Sequence, residues 1–188
     1  MKNKIIFGVL LVILSGCSMF GHQKVVQKKE TFQQTPQQIQ ISGNIVAQEK
    51  LKRGSKIAFT DLKAGPLAVA DEKTDRVSLK VIQGVTDVFL NSDAGITITN
   101  DPHDANLVFE GYIEEFTQPG KFSKMILMKH QSRISISGEV YERNTGLRVL
   151  SFASAKTFNT SKENSSQAAL SIGNAIGQFI CNHAKEKP

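Results

Sequence analysis

From residue 55 onward the chain switches between two hydrophobic periods, and each switch predicts an element. Val77, Val81, Val85 and Val88 recur at the spacing of one helix face, and Ile82 and Phe89 widen the stripe. This predicts a helix capped by Thr74 or Asp75, running to about Asn91 and closed by residues 91–95. Ala168, Ile172, Ile176 and Ile180, flanked by Ala169, Ala175 and Phe179, predict a second helix over about 165–184. Elsewhere the period is two. Lys56-Ile57-Ala58-Phe59-Thr60-Asp61 reads as a short buried strand ended by the Gly65-Pro66 break, and Ile96-Thr97-Ile98-Thr99 reads as another. Leu107, Phe109, Gly111 and Ile113 share one face of a strand over 107–116. Ile134, Ile136, Gly138 and Val140 share one face of the next, with Ser135, Ser137, Glu139 and Tyr141 on the other. Asn144-Thr145-Gly146 is a tight hairpin signal, returning the chain as a strand over 147–158.

These elements predict an α+β fold: a two-layer sandwich of a mostly antiparallel, four- to five-stranded sheet with two amphipathic helices on one face. The domain covers 55–184, long enough to bury a real core, and leaves 185–188 as a tail. The apolar stretch 124–129 fits either an extra strand or a surface for a partner. Residues 17–54 contrast with all this. Gln stands at 23, 27, 33, 34, 37, 38, 40 and 48 among lysines, with few large apolar residues to offset the entropy of ordering. Such a tether has a root-mean-square reach of roughly 30 to 35 Å. Within it, residues 40–46 alternate weakly, which fits packing on the domain or on a partner.

The first residues have a different pattern again. Lys2 and Lys4 precede an apolar run over 5–14, followed by small residues. A bilayer-spanning helix needs about 20 apolar residues, so residues 1–16 read as a signal peptide that is removed. Leu14-Ser15-Gly16-Cys17 resembles the bacterial lipobox. The resemblance implies that signal peptidase reads Leu14, Ser15 and Gly16 and cuts before Cys17. It also implies a diacylglycerol thioether on Cys17 and an acyl chain on the new N-terminus. A single fatty chain holds a protein only marginally, and each buried methylene adds about 0.8 kcal/mol, so two or three chains make a permanent anchor. Ser18 follows where an Asp commonly signals inner-membrane retention, and by the same resemblance points to the periplasmic face of the outer membrane.

Composition narrows the function. Cleavage removes Lys2 and Lys4 alone, so the 23 Lys and Arg fall to 21 against 17 Asp and Glu, a formal net charge of +4. That charge is scattered, whereas nucleic-acid binding needs a clustered basic face. With Cys17 taken by lipid, Cys181 is unpaired and reads as a small buried hydrophobe of the last helix. Glu114 and Glu115 are adjacent on a strand, so regular alternation sends them to opposite faces. His22, His103, His130 and His183 have no zinc-ligand spacing, and no nucleophile elbow or phosphate loop occurs. The expectation is therefore no catalytic residue, no metal and no cofactor beyond the lipid. Gly173 and Gly177 form a G-x-x-x-G step, read as close approach of the last helix to the sheet, with a contact to another subunit as the alternative.

One resemblance draws these readings together. A Lys-Ile-Ala-Phe-Thr-Asp strand, a helix, a short strand, Ala-Asn-Leu-Val-Phe-Glu-Gly over 105–111, Asn-Thr-Gly-Leu-Arg-Val-Leu over 144–150 and a final helix follow in order. This resembles the periplasmic lipoproteins built on the domain of the TolB N-terminal region, CsgG and LpoB. It implies non-enzymatic work: binding envelope protein partners or its own copies in support of a secretion system, polymer exporter or cell-wall synthase. The alternative is an LptE-like lipoprotein that binds lipopolysaccharide or an outer-membrane barrel. Cys17→Ser is expected to leave an uncleaved precursor that is not lipidated, read from its intact mass and from membrane fractionation. Normal cleavage and membrane retention contradict the lipobox reading.

Overall fold

A computed structural model describes residues 39–119 and 130–184. The lipobox, the apolar stretch 124–129 and the tail 185–188 lie outside the described residues. The elements are β1 (Gln40–Ile45), a 3-10 turn (Gln48–Lys50), β2 (Lys56–Phe59), β3 (Lys63–Leu67), α1 (Glu72–Asn91) and β4 (Thr97–Thr99), followed by β5 (Leu107–Thr117), β6 (Gln131–Glu142), β7 (Arg148–Asn159) and α2 (Ser165–Asn182).

The fold is α+β, with a larger sheet than the sequence implies. Among the described residues seven strands form one open sheet in the order β1-β7-β6-β5-β2-β4, and β3 pairs with β5 off this path. The long pairings of β1, β7, β6 and β5 are antiparallel. The short pairings of β2 with β4 and β5, and of β3 with β5, are parallel. Ile134, Ile136 and Val140 point inward and are buried, while Ser135, Ser137 and Glu139 face out. At the hairpin Gly146 adopts a φ of 69°, which a side chain tolerates poorly. Glu142 N–H donates to Leu147 O at 2.8 Å and closes the turn.

Two strands change the expected organisation. β1 pairs with β7 from Gln40 against Ala155 to Ile45 against Leu150. Leu51 is fully buried in the core, and Gln48 donates to His183 O at 3.1 Å. Residues 40–54 therefore belong to the domain, and the boundary drawn at 55 moves to 40. β3 includes the Gly65-Pro66 pair expected to break the chain. Proline is tolerated there because it occupies an edge strand and owes no ladder donor on the open side.

Helix starts follow side-chain chemistry. Asp71, not Thr74 or Asp75, caps α1: its Oδ1 accepts from the N–H of Lys73 at 3.1 Å and of Thr74 at 2.9 Å. Thr74 instead donates its hydroxyl to Val69 O at 2.6 Å. Asn164 caps α2 in a reciprocal box with Gln167.

The two helices lie against each other on the inner face of the sheet. A methyl added to Gly173 would stand 2.2 Å from Val81 O. One on Gly84 would stand 2.4 Å from Leu170 O, and one on Gly177 2.8 Å from Val88 Cβ. The G-x-x-x-G step thus serves a backbone contact between α2 and α1 in the same chain, not one with the sheet. Gly173→Ala is expected to lower unfolding stability by about 1–3 kcal/mol through overpacking of two backbones. Urea unfolding measures this, and an unchanged midpoint contradicts the contact.

Candidate functional site

The outer face of the sheet gathers the acids. Alternation should have separated Glu114 and Glu115, but the β5–β6 register slips between Ile113 and Glu115. The bulge turns both toward the outward side chains of β6. Ser137 Oγ donates to Glu114, and Arg133 Nε donates to Glu115 at 3.0 Å. Alongside them Tyr141 donates its hydroxyl to Glu110 at 3.1 Å, and Arg148 pairs with Glu139 at 3.0 Å. A shallow depression of about 410 Å³ lies over Glu110, Tyr112, Glu114, Ser137 and Glu139. Burial, then the bond to Glu110, raises the Tyr141 pKa above that of an ordinary tyrosine. Each of these four carboxylates therefore already has a donor. The face is acidic and hydrogen-bonded, with no bare acid–base couple among the four.

At the hairpin end, Lys50 pairs with Glu142 at 2.9 Å, and Thr145 donates to the other oxygen of Glu142 at 2.6 Å. Cys181 is half-buried in α2, with Sγ 3.3 Å from Ser92 Oγ, and burial raises its pKa. It borders a depression of about 270 Å³ with Arg53 and Asp93. His183 Nδ1–H donates to Phe179 O at 2.7 Å and closes α2. His103 sits in an exposed turn, its N–H donating to Asp101 Oδ1 at 2.8 Å. Among the described residues no three His, Cys, Asp or Glu side chains converge as metal ligands. No described helix is long and apolar enough to cross a membrane. Leu14, Ser15, Gly16 and Cys17 fall outside the described residues.

The inner face also carries polar groups that the hydrophobic pattern hides. Lys156 lies in the inward register of β7 with its ammonium on Glu163. The buried hydroxyls of Ser132 and Ser154 have no hydrogen-bond partner among the described residues.

No protein-family model matches the chain, and no curated protein matches it by sequence. Solved structures do match. The PelC dodecamer from Paraburkholderia phytofirmans gives a TM-score of 0.57 at 14% identity, covering 79% of this chain and 99% of that one. This chain shares its fold with PelC. A PelC point variant in another crystal form gives 0.56 at the same identity and coverage. The lipoprotein GNA1162 from Neisseria meningitidis gives 0.44 at 9% identity, covering 66% of this chain and 97% of that one. At such identities the likeness to PelC is one of fold.

Two carboxyls tie this architecture to pH. The Thr74 backbone N–H holds Asp71 below its ordinary pKa of 3.8. The Thr145 hydroxyl, then Lys50, hold Glu142 below 4.5. Both are depressed acids, so their stabilisation is complete above the ordinary values and is lost as pH falls through the lowered folded values. The urea midpoint is expected to hold from about pH 7 to 5 and to fall below about pH 4. Asp71→Asn keeps an acceptor for Thr74 but removes the titration, so its acid limb should be shallower. An identical limb contradicts the assignment.

Proposed function

We propose that this chain is a lipid-anchored envelope lipoprotein of the TolB N-terminal, CsgG and LpoB kind, held on the periplasmic face of the outer membrane. It works without catalysis. Its domain assembles with copies of itself and serves an envelope machine for secretion, polymer export or cell-wall synthesis. The observation that carries this reading is the fold shared with PelC, a dodecamer, over nearly the whole of that chain.

Three features support it. The lipobox supplies the anchor, and a stretch of chain before Gln40 separates the anchor from the domain. The four outer-face carboxylates are committed to internal donors, as expected of a binding scaffold rather than an acid–base catalyst. Large apolar side chains stand exposed at Leu67 and Val69, at Val46 and Leu147, and on α1 at Leu79 and Leu90, the mark of a protein-protein or membrane contact. The lipopolysaccharide-carrier alternative requires a concave apolar surface. Instead the depression on the sheet is lined by Glu110, Glu114 and Glu139, which repel an anionic ligand. Light scattering during size exclusion of the mature lipidated chain in detergent should return one defined multiple of the protomer mass. A monomer at all concentrations contradicts self-assembly.

A further inference from the structure

β1 stands at one end of the strand order, so its outer edge is open among the described residues. Val46 N–H donates to Val149 O at 2.9 Å, and the β1–β7 register runs unbroken from Gln40 to Ile45. Antiparallel ladders alternate, so Gln40, Ser42 and Asn44 bond to β7 while the N–H and C=O of Ile41, Gly43 and Ile45 point outward. Soluble domains blunt such an edge with a charge, a proline or a bulge. β1 has none of these: no charged residue and no proline occurs from Ile39 to Ala47, and the pairing shows no shift. The inner rim of this edge is apolar. Ile41, Ile45 and Phe179 of α2 are only partly buried. Phe179 lies over Gly43, where an added Cβ would stand 2.4 Å from its Cζ.

The other open edges do not match this one. β3 carries Pro66, spends the Ala68 N–H on Gly65 O at 3.1 Å, and shifts register between Ala64 and Leu67. β4 is three residues long. The exposed Leu79 and Leu90 stand on α1, whose backbone groups are bonded within the helix.

A second β1 does match. Turned antiparallel about a two-fold axis through Gly43, it sets Ile41 against Ile45 on the inner face and Ser42 against Asn44 on the outer. Gly43 meets its own copy. The outward backbone groups of the two strands then face each other in phase and form about six hydrogen bonds. The two Phe179 rings come together over the axis, where an aromatic pair adds to the burial. No like charges are opposed, because the strand carries none.

Resting on the self-assembly reading, we infer that two copies pair through β1 across this axis and join their sheets into one. Such a contact is isologous and closes at two copies. A larger particle therefore needs a further contact and holds an even number of protomers.

The test uses the mature lipidated chain in detergent with Cys181→Ala, which leaves no other free thiol. Ser42→Cys and Asn44→Cys are made separately; both positions are exposed, so the fold should hold. Across the axis residue 42 lies opposite residue 44 at about 4.5 Å between Cα atoms, inside disulfide range. Each meets its own copy only diagonally, at about 7–8 Å. Mild oxidation of the two variants co-expressed is expected to give about tenfold more covalent dimer than either alone. Ile41→Pro removes an outward N–H and no bond to β7, and is expected to halve the particle mass in light scattering. An odd multiple of the protomer mass, equal cross-linking of either variant alone, or assembly without the cross-link overturns the contact while self-assembly survives. A monomeric wild type overturns both. Cross-linking that appears only after deletion of residues 20–36 assigns the edge to the chain's own tether and overturns the pairing.

Discussion

The backbone contact between α1 and α2 is the constraint on which the rest depends. A sheet of seven strands has an inner face too broad for one helix, and two helices cover it only if they lie close together. Gly84, Gly173 and Gly177 remove the side chains that would hold the two backbones apart. With the pair drawn in, Val77, Val81, Val85, Ile172, Ile176 and Ile180 all reach the same core as Ile134, Ile136 and Phe109. A larger residue in the seam would lift one helix and expose the strands beneath it. Bringing backbones this close is a device familiar from membrane helices, and here it works in a packed core.

The inner architecture was legible in the sequence because burial imposes a period. Both helical stripes and the alternation in β5, β6 and the hairpin follow directly from which residues face the core. What escaped was set by pairing rather than by period. β1 has only Ile41 and Ile45 as large apolar residues and no fully buried position, so its register with β7 is what marks it as a strand. β3 contains Gly65 and Pro66, which read as a break unless the strand is known to lie on an edge. A one-residue slip in β5 placed Glu114 and Glu115 on one face against the alternation argument. The G-x-x-x-G step was visible, but its partner was not, since a spacing motif does not say which element it meets. The lipobox residues lie outside the described residues, and their reading rests on sequence resemblance alone.

The polar and apolar surfaces then divide the work. Acids on the outer face are held by Tyr141, Ser137, Arg133 and Arg148, which suits a rigid, solvated surface. Exposed apolar side chains stand instead at the β3 corner, at the hairpin corner, and along α1 at Leu79 and Leu90. Chains carrying such corners gain from being confined to a membrane by lipid, because tethering raises their local concentration and makes a weak contact sufficient.

Anchoring and assembly together make up the account, and one measurement reads both. Native mass spectrometry of the complex extracted from membranes in detergent resolves the parent particle and the protomers it releases. The account predicts released protomers that begin at Cys17 and carry the mass of its acyl chains, from a parent of one defined multiple. Unacylated protomers, or an acylated chain released only from single-copy particles, would contradict it.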